Sequence, residues 1–227
     1  MSHIKLIAAP GSLMIKRKEN KYISRPMPGK HALQESLSLV VVLRDFLGLA
    51  KTSREVKKIL LSKEILIDGR KVNESKSALG LFDVLSIPDT KEHYRILMDE
   101  KGRLAPIKID EKESKVEPCK VIGKRIINGG KTQLNLYDGK NILSEEKDIK
   151  TGDTLLISLP ELKISKHWKA HKGAAIFLTG GSHQGETGEL VELQDEQAVF
   201  LINGKKTQTS KNYVFVVGEN KPEIKLK

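Results

Sequence analysis

The sequence has one cysteine in 227 residues, no long apolar run, no internal repeat and no low-complexity tract. Cys119 alone cannot build a disulfide framework or a cysteine-rich zinc site, and it suits a reducing compartment. No stretch approaches the roughly 18–20 apolar residues that span a bilayer, and the N-terminus lacks the apolar core of a secretory signal. The expectation is a soluble, intracellular, cytoplasmic chain. Catalytic constellations are missing as well. Gly129-Gly130-Lys131-Thr132 ends like a phosphate-binding loop, but Arg125 stands where that loop needs its first glycine. His167 and His171 lie four apart, a helical metal-ligand spacing, yet no local acid or cysteine supplies an obvious third ligand. Surface or RNA-contacting histidines are the other reading of that pair. There is no Gly-x-Ser-x-Gly elbow, and Cys119 follows Pro118 in an acid-leaning stretch that would not lower a thiol pKa. No catalytic residue, metal or cofactor is expected.

What is present is positive charge. Forty Lys and Arg face 29 acids, for a net charge of +11. That excess favours a polyanionic partner, with nucleic acid ahead of an anionic membrane. Residues 1–35 hold seven Lys or Arg against two acids, almost half of the excess. With Pro10, Gly11, Pro26, Pro28, Gly29 and the run Lys16-Arg17-Lys18, this segment reads as a basic arm more than a domain. Ile4, Leu6, Ile7, Tyr22 and Ile23 give it something to bury; the alternative is a disordered tail.

The length allows two or three small cores, so a modular chain is expected. Leu39, Val42, Leu43, Phe46 and Leu47 have the spacing of an amphipathic helix, with Gly48 as its terminator. A second helix opens at Thr52, whose hydroxyl can cap the first turn while Glu55 reaches back. Val56, Ile59 and Leu60 form its apolar stripe, and Arg54, Lys57 and Lys58 project on the other side. Glu64–Val72 then reads as a hairpin turning at Asp68-Gly69 and returning through Arg70 and Lys71. The basic face is either a phosphate grip or an ordinary solvated helix face. From residue 91 the pattern is strands: 93–97 and 105–109, 120–127 and 132–137 with turns at Asn128-Gly129-Gly130 and Asp138-Gly139, then 154–159. After the basic stretch Lys163–Lys172, strands at 174–179, 188–193, 197–202 and 213–217 suggest a last small barrel with a turn at Asn203-Gly204. The glycines between its first two strands either allow close approach by another backbone or mark a tight barrel corner. The expected fold is α+β and multidomain: an arm (1–35), a small helix-hairpin module (36–90), and two mostly β, barrel-like domains (91–165 and 166–227).

The N-terminal strings His3-Ile-Lys-Leu-Ile-Ala-Ala-Pro10, Ile15-Lys-Arg-Lys18, Arg25-Pro-Met-Pro-Gly-Lys-His31 and Leu43-Arg-Asp-Phe-Leu47 resemble the archaeal and eukaryotic small-subunit ribosomal protein "S four e" family, and the similarity runs along nearly the whole chain. Thr52–Val72 is similar to the S-four-type RNA-binding module, and Lys172–Leu193, with Gly173, Gly180, Gly181, Gly185 and Gly188, resembles the KOW motif of SH3-like barrels. Leu6 stands at a place where the family has Arg, and Gly11-Ser12-Leu13 where a lysine and a tryptophan are common. The resemblance implies a ribosome-bound, non-catalytic structural protein of the small subunit, with ribosomal RNA and neighbouring ribosomal proteins as partners and neither membrane nor small-molecule substrate. The chemistry of phosphate binding nominates the contacts. On the arm they are His3, Lys5, Lys16, Arg17, Lys18, Arg25, Lys30 and His31; on the module, Arg44, Lys51, Arg54, Lys57, Lys58, Lys63, Arg70 and Lys71. Near the last barrel they are Lys166, His167, Trp168, Lys169, His171 and Lys172, where Trp168 either stacks on an unpaired base or fills the core. Two rivals stand beside this reading. One is a pseudouridine synthase, whose Gly-Arg-Leu string is here followed by Ala105 and not by the aspartate that chemistry needs. The other is a free translation or transcription factor using the last barrel.

Overall fold

Antiparallel pairing organises most of the chain in the computed structural model, which describes residues 3–127, 130–146, 148–194, 196–202 and 204–226. The contacts divide it into two units, one running to Met98 and taking in Arg103–Lys115, the other made of Asp99–Gly102 and the chain from Val116 onward. Helices are few and the sheets small, so the fold is mostly β within an α+β chain.

In the first unit the N-terminal segment folds back on itself. β1 (His3–Lys5) pairs with β2 (Tyr22–Ser24), and Leu6, Ala9, Leu13 and Ile23 are buried. Leu13 bridges to Leu104, and of the apolar residues expected to bury, Leu6 and Ile23 do so while Ile7 and Tyr22 stay exposed; the tail-like alternative does not describe the segment. β3 (Ser36–Ser38) follows and pairs with β6 (Ala78–Gly80). Between them, the amphipathic helix expected over 39–47 is one α turn, Leu39–Val41, running into a wider π turn, Val42–Phe46. Leu39 to Leu43 are all buried, which leaves that turn no polar face. Three consecutive valines, stiff at χ1, crowd it further.

The helix Ser53–Ser62 forms as its capping signals require. Thr52 Oγ1 accepts the Glu55 N–H at 3.3 Å, and the Glu55 carboxylate accepts the Lys51 N–H at 2.7 Å, one residue further back than the cap itself. That Lys51 N–H holds the Glu55 carboxyl below the usual carboxylate range. Val56 and Leu60 are buried and Ile59 half-buried. The hairpin of β4 (Leu66–Ile67) and β5 (Arg70–Lys71) turns at Asp68 and Gly69, with φ of 50° and 72°, the primed turn that matches strand twist.

The boundary expected at residue 90 falls inside a sheet. β7 (Val84–Ile87), β8 (Glu92–Met98) and β9 (Leu104–Ile109) extend the hairpin into a five-stranded sheet of order β5-β4-β7-β8-β9. Pro88 does interrupt the strand, but it opens a one-turn 3-10 helix that returns the chain into β8. A proline marks the turn without saying whether the next strand joins the same sheet.

The second unit carries two five-stranded sheets. β10 (Val116–Ile126), β11 (Thr132–Leu136), β12 (Asn141–Ser144), β13 (Thr154–Ser158) and β14 (Lys163–Trp168) run in the order β12-β11-β10-β13-β14. β10 serves both sides, pairing with β13 through Val116–Lys120 and with β11 beyond a bulge between Val121 and Gly123. Cys119, Val121, Leu134, Leu136, Ile149, Leu155 and Ile157 pack its core. β15 (Ala175–Leu178), β16 (Thr187–Leu193), β17 (Gln197–Ile202), β18 (Lys205–Ser210) and β19 (Val214–Gly218) run β18-β17-β16-β15-β19. Three of these ten strands were not expected: β12, β14 and β18. β14 is the first half of the basic stretch, and β18 reads Lys-Lys-Thr-Gln-Thr-Ser, with no apolar side to announce it. Both sit at sheet edges, where lysine is tolerated and discourages further pairing. Of the expected turns, Asn128, Gly129 and Asn203 lie outside the described residues.

Lys120 ties the two sheets together. Its ammonium donates to the carbonyls of Val214 at 2.7 Å, Asn212 at 2.9 Å and Lys211 at 3.3 Å, just where the chain enters β19. Burial, reinforced by the charge of Lys211, lowers its pKa from 10.5 to about 8. The folded state thus disfavours the charged form, and the unfolded chain binds more protons between those two values. Stability should therefore rise with pH through that window. Relative to Lys120→Met, the unfolding free energy of the wild type is expected to be level below pH 8 and to climb by roughly 2–3 kcal/mol towards pH 10.5. Urea unfolding of both proteins across the range measures this; a level difference contradicts it.

Candidate nucleic-acid interface

The helix Ser53–Ser62 separates its faces by charge. Arg54, Lys57 and Lys58 are exposed opposite the buried Val56 and Leu60, at the i, i+3, i+4 positions of a single stripe. Leu61 continues that stripe at i+7 and is 83% exposed, an apolar tip among cations. Sequence reasoning passed over it, although its spacing from Arg54 was the available signal. Lys51, Lys63, Arg70 and Lys71 are also exposed, the last two on the edge strand β5, and Lys63 has only a loose approach to Asp89 at 3.9 Å. Arg44 differs: its Nε and Nη2 donate to the two oxygens of Asp45 at 2.7 and 2.8 Å, so its charge is largely answered within the protein.

The arm divides into residues that face water and residues that hold the arm. Lys5, Lys18 and Arg25 are exposed, and His3 sits edge-on to Tyr22 with ring centroids 4.6 Å apart. Lys16 is exposed beside Glu19 at 2.9 Å. Arg17 turns inward, and its guanidinium donates to the carbonyls of Ala9 and Pro10, both at 2.9 Å, stapling the folded-back chain. Lys30 and His31 are likewise not surface cations. Lys30 Nζ lies 2.8 Å from Asp83 and also meets Asp68, and His31 Nε2 lies 3.0 Å from Asp83 Oδ2 with its side chain 1% exposed. The expectation of RNA contacts at Arg17, Lys30 and His31 is corrected accordingly: charge alone does not say which acid a cation will meet. Burial would raise the Asp83 carboxyl, but the charges of Lys30 and His31 outweigh it and hold Asp83 well below the usual carboxylate range. Asp68 and Asp83 were missed in the sequence. The signal for Asp83 was its position as the one charge in the apolar run from Ala78 to Ile87.

At the last basic stretch the outcome is mixed. Lys169, His171 and Lys172 are exposed, while Lys166 pairs with Glu223 and His167 Nε2 lies 2.8 Å from Asp153. His167 sits on strand β14 and His171 beyond its end, so the helical metal spacing does not exist. Trp168 is 1% exposed and offers no face to a base. In register with the fully buried Thr154 on β13, it points to the core side of the sheet, which corrects the stacking expectation. Gly180, Gly185 and Gly188 of the expected KOW loop serve internal packing. A β-carbon at Gly188 would stand 2.7 Å from the Leu201 carbonyl oxygen, and one at Gly180 would strike the Tyr213 ring, so this is a tight corner approached by the chain's own atoms. Glu117, Cys119 and Asp138 also converge in the second unit, but the Lys140 ammonium lies among them, 2.8 Å from Asp138 and bonded to Glu117. Burial first, and then those carboxylates, push the Cys119 thiol up.

Residues 90–164 match the model of the Ribosomal family S4e, and residues 2–34 match the RS4NT domain. The small ribosomal subunit protein eS4 of Methanocaldococcus jannaschii is 43% identical across 99% of this chain and 97% of its own length. The chain belongs to the ribosomal S4e family. Within the S4e relatives, eS4 of Methanococcus maripaludis is 42% identical over the same shares. The crystal structure of the 30S ribosomal protein S4e from Thermoplasma acidophilum superposes with a TM-score of 0.71 at 32% identity, covering 82% of this chain and 96% of that one. The RS4NT match spans the folded-back segment, so the part of this S4e chain richest in basic charge is also one that its family model recognises.

Reversing Arg54, Lys57 and Lys58 to Glu should weaken RNA binding while leaving the far-ultraviolet circular dichroism and the thermal midpoint near those of the wild type, because all three side chains are exposed. Unfolding of the variant would show that the face is assigned wrongly.

Proposed function

We propose that the chain is a structural, non-catalytic component of the small ribosomal subunit that binds ribosomal RNA through its exposed basic surfaces and adjoins other ribosomal proteins. The observation that carries the reading is near-full-length identity of 43% to a protein named for that subunit, in a chain whose net charge is +11. The helix Ser53–Ser62 and its hairpin act as an S-four-type RNA-binding module, the N-terminal segment adds a second basic surface, and the KOW-like corner of the last sheet is a third docking element. Phosphate contacts from Lys and Arg position the protein without reading sequence, so selectivity comes from the shape of the folded RNA. The interface is therefore graded by exposure: His3, Lys5, Lys16, Lys18, Arg25, Lys51, Arg54, Lys57, Lys58, Lys63, Arg70, Lys71, Lys166, Lys169, His171 and Lys172 are its members. Among the described residues no helix is long and apolar enough to cross a membrane. The pseudouridine synthase reading has no support from the family, and Gly102-Arg103 lie in the turn between β8 and β9, with Leu104 opening β9.

The affinity for small-subunit RNA should fall linearly on a log–log salt plot by about 0.7 to 0.9 per phosphate contact. An affinity indifferent to salt would remove the electrostatic account. On sucrose gradients of cell extract the protein should travel with small subunits; a large free pool would favour a dissociable factor instead.

A further inference from the structure

We infer that Asp83 is the positioning residue of the basic N-terminal segment: a buried acid, itself out of reach of RNA, fixes the segment so that Lys5, Lys18 and Arg25 are presented to it. The inference rests on the RNA-binding reading above. Elsewhere the segment is held by the non-directional burial of Leu6, Ala9, Leu13 and Ile23 and by neutral hydrogen bonds. The Met27 N–H donates to the Lys76 carbonyl at 2.8 Å, the Leu104 N–H to the Ser12 carbonyl at 2.8 Å, and the Ser38 hydroxyl to the Ser24 carbonyl at 3.3 Å. Each of these is a single neutral hydrogen bond, readily replaced by water.

At Lys30 and His31 the fastening changes character. Asp83 is 0% exposed; its carboxylate accepts the Gly80 N–H at 2.9 Å and meets His31 Nε2 at 3.0 Å and the Lys30 ammonium at 2.8 Å. That ammonium also reaches Asp68, whose other oxygen accepts the Val84 N–H at 3.0 Å. The imidazole occupies the place a side chain at Gly80 would take, so the seat is shaped as well as charged. A buried carboxylate deprived of its partners is strongly unfavourable, so residues 30–31 cannot leave without stranding a charge. The segment is thus ordered before RNA arrives, and its cations meet phosphates without a further ordering cost at binding.

The test is trypsin cleavage of the RNA-free protein, alongside RNA affinity across a salt series, for the wild type, Asp83→Asn and His31→Ala. His31→Ala leaves Lys30 on Asp83, so it carries the test if Asp83→Asn does not fold. In the wild type the bonds after Lys16, Lys18 and Lys21 should resist cleavage. Both variants should be cut there at least ten times faster, bind small-subunit RNA about tenfold more weakly, and show a shallower salt slope. With Lys5, Lys18 and Arg25 already changed to Ser, adding His31→Ala should weaken binding no further, as expected of a residue that acts through them. Equal cleavage of wild type and variants, or a full loss on adding His31→Ala to the Ser triple variant, overturns the proposal. Cleavage protected as described in a protein whose RNA affinity ignores Lys5, Lys18 and Arg25 overturns the RNA reading and with it the positioning role, while the fastening itself stands.

Discussion

A charge taken out of water must be answered by another charge or by well-aimed dipoles, and the buried carboxylate of Asp83 is where this protein meets that demand most severely. An ammonium, an imidazole and a backbone N–H converge on it, and both side chains come from the N-terminal segment. Because of that one cluster, the hairpin turn at Asp68, the strand β7 that follows Asp83 and the segment ending at His31 form a single structural unit. The same demand sorts the basic residues. Those that reach a buried acid or a run of carbonyls, Arg17, Lys30, His31 and Lys120, hold the fold together; those left at the surface are available to a polyanion.

Exposed ion pairs such as Lys16 with Glu19 add little to stability, because water and salt screen them and two long side chains must be ordered to make them. The surface cations of the helix stripe, the edge strand and the N-terminal segment consequently have little structural work, which leaves them available to the polyanion proposed above. Leu61 on that helix stripe fits the same account, since an exposed apolar tip can lie against a ribose or base between phosphate contacts.

The local features were legible in the chain. The capping box at Thr52 and Glu55, the stripe of Val56 and Leu60, the Asp68-Gly69 turn and the paired strands around Gly102 all follow from spacing and turn chemistry within a few residues. What was not legible depends on distant partners. The sheet that crosses residue 90 is decided by which edge β8 finds, and strands β14 and β18 are held by neighbours because their own sequences are too polar to declare them. Trp168 faces inward because of its register with Thr154, and Lys30 and His31 are turned away from solvent by an acid more than fifty residues later. Composition could say that the protein is basic; only the fold could say which cations are already engaged.

Crosslinking of lysine and arginine residues to RNA in the intact small subunit, mapped by mass spectrometry, tests the central claim most directly. The account predicts crosslinks from the stripe Arg54, Lys57 and Lys58 and from Lys5, Lys18 and Arg25, with none from Lys30 or Lys120. Crosslinks concentrated on Lys30 and Lys120, with the helix stripe silent, would contradict it.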